Sequence, residues 1–170
     1  IIDTVGSKSG VVGSDVYPDG HVVQVLQYTN NYNATTTSAG ELDFEQSSGV
    51  VWEPSITVTS GNKVLILAHI HVLTTYTSNS EDRVTYKMYQ KKGSGSYAEI
   101  IRDYRSIGLY DWGGDGVWMK QAHTTNYLSS PNTGDLIKYK ITLQADSAGQ
   151  TVQTNYAGDV SNIILMEVTA

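Results

Sequence analysis

From residue 21 onward, apolar side chains recur at every second position, a period that belongs to strands rather than helices. The clearest case is Leu136–Gln144, LIKYKITLQ. There Ile137, Tyr139, Ile141 and Leu143 fall on one face, and Lys138, Lys140, Thr142 and Gln144 on the other. Such a strand keeps one face wet. Val84, Tyr86 and Met88 alternate with Thr85, Lys87 and Tyr89 in the same way. Further strands are predicted at Val22–Tyr28, Ser55–Thr59, Val64–Thr75, Ala98–Tyr104, Val117–His123 and Asn162–Val168. Turn-forming clusters bound them, among them Ser60-Gly61-Asn62, Gly93-Ser94-Gly95 and Asp146-Ser147-Ala148-Gly149. No segment shows the periodicity of an amphipathic helix.

About eight strands separated by turns predict an all-β fold, an antiparallel two-sheet sandwich of jelly-roll-like type. Val64–Leu73 stands apart because both of its faces are largely apolar: Val64, Ile66, Ala68, Ile70 and Val72 on one, Leu65, Leu67, His69, His71 and Leu73 on the other. A strand apolar on both faces is covered on both. One cover is the core. The second face is expected to meet another copy, which makes Leu65, Leu67, His69, His71 and Leu73 the candidate oligomer interface. Residues 1–20 are rich in Gly and Ser with little periodicity. They are read as an extended N-terminal arm ahead of a sandwich domain at 21–170.

Composition narrows the function classes. At 170 residues the chain fits one domain with one core, and zero cysteines exclude disulfides, thiolate metal sites and a thiol nucleophile. Net charge is −6, and the 11 basic residues are scattered, with Lys91-Lys92 their only adjacent pair. A nucleic-acid surface needs a concentrated basic stripe, so none is expected. Membrane insertion is not expected either, since no apolar run approaches the about 20 residues of a spanning helix. The aromatics are lopsided, 12 Tyr against 3 Trp and 1 Phe. Tyrosine, apolar in its ring and polar at its tip, suits half-buried strands, interfaces and sugar contacts.

The order of segments resembles the C-terminal β-sandwich domains of tail-fibre and related virion proteins of marine and other tailed bacteriophages. The stretches that carry it are GHVVQVLQYTN from Gly20, VVWEPSITVTSGNKVLILAHIHV from Val50 and RVTYKMYQKKGSGSYAEIIRD from Arg83. YLSSPNTGDLIKYKITLQADSAGQTVQTNYAG from Tyr127 and the closing NIILMEVTA from Asn162 continue it. Val58 stands where the family usually has a proline, and Asp111–Trp118 departs from its pattern. The resemblance implies a virion location, a homotrimer and a binding or structural role without catalytic residues. Attachment to other virion proteins would run through residues 1–20.

Two constellations carry candidate chemistry. His69-Ile70-His71 places two imidazoles on one face of a strand, about 6.5–7 Å apart, so that both can ligate one metal. The alternative is two histidines hydrogen-bonded in a groove or interface. Asp111-Trp112-Gly113-Gly114-Asp115-Gly116 sets two carboxylates and an indole in a glycine-rich loop beside Tyr110. Tyr110, Asp111, Trp112 and Asp115 are the candidate ligand-binding residues: the rings can stack on a sugar while the carboxylates accept from hydroxyls. Calcium binding and an ordinary turn are the competing readings. Glu41, Asp43 and Glu45 alternate as a charged wet face would. No Gly-x-Ser-x-Gly elbow and no phosphate-cradling loop is present, so no enzyme and no cofactor are expected. The leading expectation is a tail-fibre distal domain that binds a host receptor, with a host surface glycan as the ligand. A capsid decoration protein and a stand-alone lectin-like module are the alternatives.

Overall fold

The computed structural model describes residues 19–37, 39–75, 82–109, 118–146 and 149–170. Among them, every strand pairing is antiparallel. The long strands are β1 (Val22–Asn30), β7 (Lys63–Thr75), β8 (Asp82–Lys92), β9 (Ala98–Leu109), β10 (Trp118–Ser129), β11 (Leu136–Ala145) and β13 (Ser161–Val168). Between them lie β2 (Thr35–Thr36), β3 (Glu41–Asp43), β4 (Glu45–Ser47), β5 (Val50–Val51), β6 (Ser55–Thr57) and β12 (Thr151–Thr154).

Sheet A runs β1-β13-β7-β10, with β12 and β2 extending it beside the far half of β7; sheet B runs β9-β8-β11, with β3 and β6 sharing the other edge of β11. Take β3 and β6 as one strand position and count the principal strands along the chain. Sheet A then reads first-eighth-third-sixth and sheet B second-seventh-fourth-fifth, which is jelly-roll order. The expected sandwich class is the observed one.

The core forms where the period-two faces meet. Val64, Ile66, Ala68, Ile70 and Val72 of β7, Val84, Tyr86 and Met88 of β8, and Ile137, Tyr139, Ile141 and Leu143 of β11 are all buried. The alternation read in Leu136–Gln144 is the burial pattern of β11 except at Thr142, which was expected on the wet face and is fully buried. Glu41, Asp43 and Glu45 do not share one strand. The chain leaves sheet B at Phe44, whose ring is fully buried 6.2 Å from Trp52, and Glu45 begins a separate hairpin with β5.

Turns and buried polar groups pin the ends. Gly61 takes φ +92° in the turn before β7, and Glu167 accepts from Thr59 N–H and Asn62 Nδ2 at 2.7 Å each. At the corner between β12 and β13, Asn155 adopts a left-handed φ of 49°. Its amide is fully buried, donating to Tyr32 O at 3.1 Å and accepting from Ser161 Oγ at 2.5 Å. Gly20 N–H donates to Thr169 O at 2.9 Å, so the chain joins the sandwich there, next to the end of β13. Residues 1–18 of the expected arm lie outside the described residues.

Candidate functional site

The outer face of sheet A is the half-apolar surface that the sequence of β7 anticipated. Cross-strand register lines up Val25, Met166, Leu65 and Leu128 in one row across β1, β13, β7 and β10. Val25 is 53% exposed and Leu128 50%, with Leu65 and Met166 half-buried between them. The next row is Gln27, Ile164, Leu67 and Asn126, and the third is Thr29, Asn162, His69 and Thr124. The face thus grades from apolar, near the entry of the chain at Gly20, to polar at the Thr75 end. Leu73 is already covered within its own chain at 3% exposure, so among the described side chains of β7 the accessible outer face stops at His71.

His69 and His71 share that face as their spacing requires. Their rings pack edge to face with centroids 4.9 Å apart. His69 Nδ1 lies 2.9 Å from Thr124 Oγ1, and His71 Nδ1 lies 3.8 Å from Asp159 Oδ2, whose other oxygen pairs with Lys120 at 2.7 Å. Among the described residues, no group of three or more His, Cys, Asp or Glu side chains is arranged to hold a metal ion. Within one chain the pair makes neighbourly contacts and lacks a third ligand of that kind.

The outer face of sheet B is polar and largely paired within itself. Lys87 reaches Glu41 and also Gln144 Oε1 at 2.7 Å, Lys138 reaches Glu53 at 2.6 Å, and Lys140 reaches Asp43 at 3.0 Å. Lys140 also lies over the rings of Tyr89 and Tyr97, at 5.2 and 5.3 Å. Burial alone would raise the Glu41 carboxyl, but bonds from Lys87, Tyr89 and Thr142 outweigh it and hold the group below its ordinary range. The Lys138 and Tyr97 bonds do the same for Glu53. Tyr97 is pushed up by burial and by Glu53.

Tyr110, Asp111, Trp112 and Asp115 lie outside the described residues. The strands that flank them fix where their segment enters: Leu109 of β9 pairs with Asp82, and Trp118 of β10 pairs with Thr75. The connections after β7 and β9 therefore leave from one end of the sandwich, opposite the end where Gly20 enters. Residues 76–81, between β7 and β8, lie outside the described residues as well. The segment between β1 and β3 is tied to the sandwich: β2 within it pairs with β12, and Ala34 is buried with its N–H on Thr154 Oγ1.

Sequence reasoning missed a third cluster, at the seam between β9 and β10. His123, on the inner phase of β10, packs on Tyr86 with ring centroids 4.7 Å apart and has Asp103 of β9 3.7 Å from its Nε2. In the sequence His123 alternates in phase with Gln121, Thr125 and Tyr127, and Asp103 with Ile101, but nothing local brings the two strands together.

No family model matches the chain, and no curated protein does. Among solved structures, it is similar to the VP2 subviral particle of infectious bursal disease virus, at 13% identity over 95% of this chain and 42% of that one, TM-score 0.37. It is also similar to the Gx strain of that virus, at 13% identity over 88% and 38%, TM-score 0.34. The CBM22-1 xylan-binding domain of Paenibacillus barcinonensis Xyn10C overlaps at 10% identity over 91% and 99%, TM-score 0.32. The chain spans less than half the length of the viral chains. Overlaps this weak transfer neither residue correspondences nor a function.

Proposed function

We propose that this protein is a non-enzymatic virion component of a tailed bacteriophage: a homotrimeric β-sandwich that serves as a tail-fibre distal domain and binds a host surface glycan. The observation that carries the reading is the apolar row Val25–Met166–Leu65–Leu128, which crosses the outer face of sheet A at the end where the chain enters. A second copy placed there would cover it, and a closed three-fold ring would do so for every copy. The strand ends that flank Tyr110–Val117 then lie at the end away from the attachment side, where loops can vary without cost to the core. The sequence resemblance to phage virion sandwiches supports the same assignment. In a trimer, His69 and His71 would lie beside their counterparts at the polar margin of the interface, where a shared metal becomes geometrically available. Residues 1–20 would reach other virion proteins.

Sedimentation equilibrium at micromolar concentration tests assembly. The expected mass is three times the 18.5 kDa chain, and a monomer would overturn the reading. Host-cell adsorption by a Trp112→Ala, Asp115→Ala double variant tests the distal site. Lost adsorption by a folded trimer supports glycan binding there, whereas unchanged adsorption assigns the protein to capsid decoration.

A further inference from the structure

Most buried polar side chains of this sandwich have partners. Gln90 Nε2 donates to Ser129 Oγ at 2.5 Å and Gln150 Nε2 to Thr74 Oγ1 at 2.9 Å; Asn155 and Glu167 are bonded as described above. Tyr86 Oη and His123 Nε2 are exceptions: both are buried with no hydrogen-bond partner among the described residues. A buried polar atom without a partner is destabilising, so two at one seam call for an explanation.

The seam lies on one open side of the sandwich. Among the described residues β9 pairs only with β8, and β10 only with β7, so these two long edge strands have no ladder between them. Across this gap His123, whose side chain is 11% exposed, sits with Tyr86 against its ring and Asp103, 52% exposed, at the solvent margin. From β7 it meets apolar inner-face side chains, with Ile70 its direct cross-strand neighbour. On its own strand Gln121 and Thr125 flank it. Tyr86 and Asp103 are the titratable groups known to face it.

We propose that His123 is an acid-sensitive latch on this seam: neutral, its ring seals β10 over Tyr86; protonated, it turns outward to Asp103 and releases β10 from β9. The neutral ring can stay in the apolar gap because it carries no charge. A bound proton makes Nε2 a charged donor 3.7 Å from Asp103 Oδ2, and the pair is best solvated where Asp103 already is, at the surface. Burial holds the His123 pKa below its ordinary value, against an opposing pull from Asp103. The sign follows. The open seam binds the proton more readily than the closed one, so closure is complete above the ordinary histidine range and is lost as pH falls through the depressed pKa.

The test is a pH titration of the full chain, reading the imidazole carbons by NMR, the urea midpoint, and amide exchange strand by strand. The expected result is a His123 titration below that of an unperturbed histidine. Between pH 7 and pH 5 the urea midpoint should fall, and exchange should quicken in β9 and β10 but not in β13. His123→Gln should remove that fall. If His123→Gln does not fold, Asp103→Asn serves in its place: losing the attractive carboxylate should move the acid limb to lower pH. A His123 titration at or above the ordinary value overturns the latch. So does an acid limb unchanged in His123→Gln, or in Asp103→Asn where that variant takes its place.

Discussion

On the outer face of sheet B, Lys87, Lys138 and Lys140 each meet a carboxylate, and Tyr89 and Tyr97 flank Lys140. On the outer face of sheet A, the row from Val25 to Leu128 crosses four strands without a charge. Both faces belong to one sandwich and back onto one core. The difference lies in what each leaves undone. Sheet B's polar groups are satisfied by one another and need only water beyond them. Sheet A offers apolar area that nothing among the described residues covers, and such a surface on a folded domain marks a contact. β7 itself holds the contrast on one strand, with Ile66 fully buried beside half-buried Leu65 and Leu67.

The largest effect should therefore separate the two faces of β7. Ile66→Ala removes core packing and is expected to lower unfolding free energy by about 2–5 kcal/mol in urea denaturation. Leu67→Ala, on the outer face, should cost the isolated chain about 1 kcal/mol. Equal costs would mean that sheet A is already closed on its outer side. A charge sharpens the same comparison. Leu65→Asp should leave a folded chain sedimenting near 18.5 kDa, because an unpaired carboxylate at the centre of an apolar contact is costly to bury. Retained assembly in that variant would move the interface elsewhere.

How much of this was legible in the sequence depends on how local the signal is. β11 could be read because one phase stays apolar over nine residues, from Ile137 to Ala145, and β8 because Val84, Tyr86 and Met88 alternate with polar or amphipathic neighbours. β2, β5 and β12, of two to four residues, are too short to show a period. The break at Phe44 was hidden because Glu41 to Glu45 alternates as smoothly as an unbroken strand, and only the pull of the core on Phe44 divides it. β10 runs on through Thr124-Thr125-Asn126, which has no apolar phase to follow. The pairing of His69 with His71 needed only the two-residue repeat. Asp159, the Val25–Leu128 row and the His123–Asp103 contact needed the register of several strands, which no single segment encodes.

Acid should distinguish sheet B's face from both sheet A and the seam. Glu41 and Glu53 titrate below the ordinary carboxylate value in the folded chain. The stability they contribute is present above that value and is lost as pH falls through their depressed pKa values. This window opens at lower pH than the one set by His123, so acid should act on the seam first and on this face in a lower limb. Glu41→Ala should erase part of the lower limb. It should also cost about 1–3 kcal/mol at neutral pH, because Lys87, 7% exposed, keeps only Gln144. Glu53→Gln, on a more exposed pair, should cost about 0.2–1 kcal/mol. A single acid limb in the wild-type chain would mean that face and seam are not independent.

The smallest effect expected is on the thermal stability of the sandwich when residues 1–18 are deleted. Their Gly and Ser content offers little apolar area against the entropy of ordering them, so they should add almost nothing to the core. The sandwich boundary at Gly20 is held by its own bonds: Gly20 N–H to Thr169 O, Thr169 N–H to His21 O, and His21 N–H to Thr169 Oγ1, each 2.9 Å. A chain beginning at Asp19 keeps all three. Its melting temperature should stay within about 2 °C of the full chain, less than a 1 kcal/mol change produces in a domain of this size. Trimer formation should also survive, since the Val25–Leu128 row is untouched, whereas incorporation into virions should fail. A drop of many degrees would place part of residues 1–18 against the sandwich. Loss of the trimer at an unchanged melting temperature would show that the apolar face of sheet A needs these residues, and not only a second copy, to be covered.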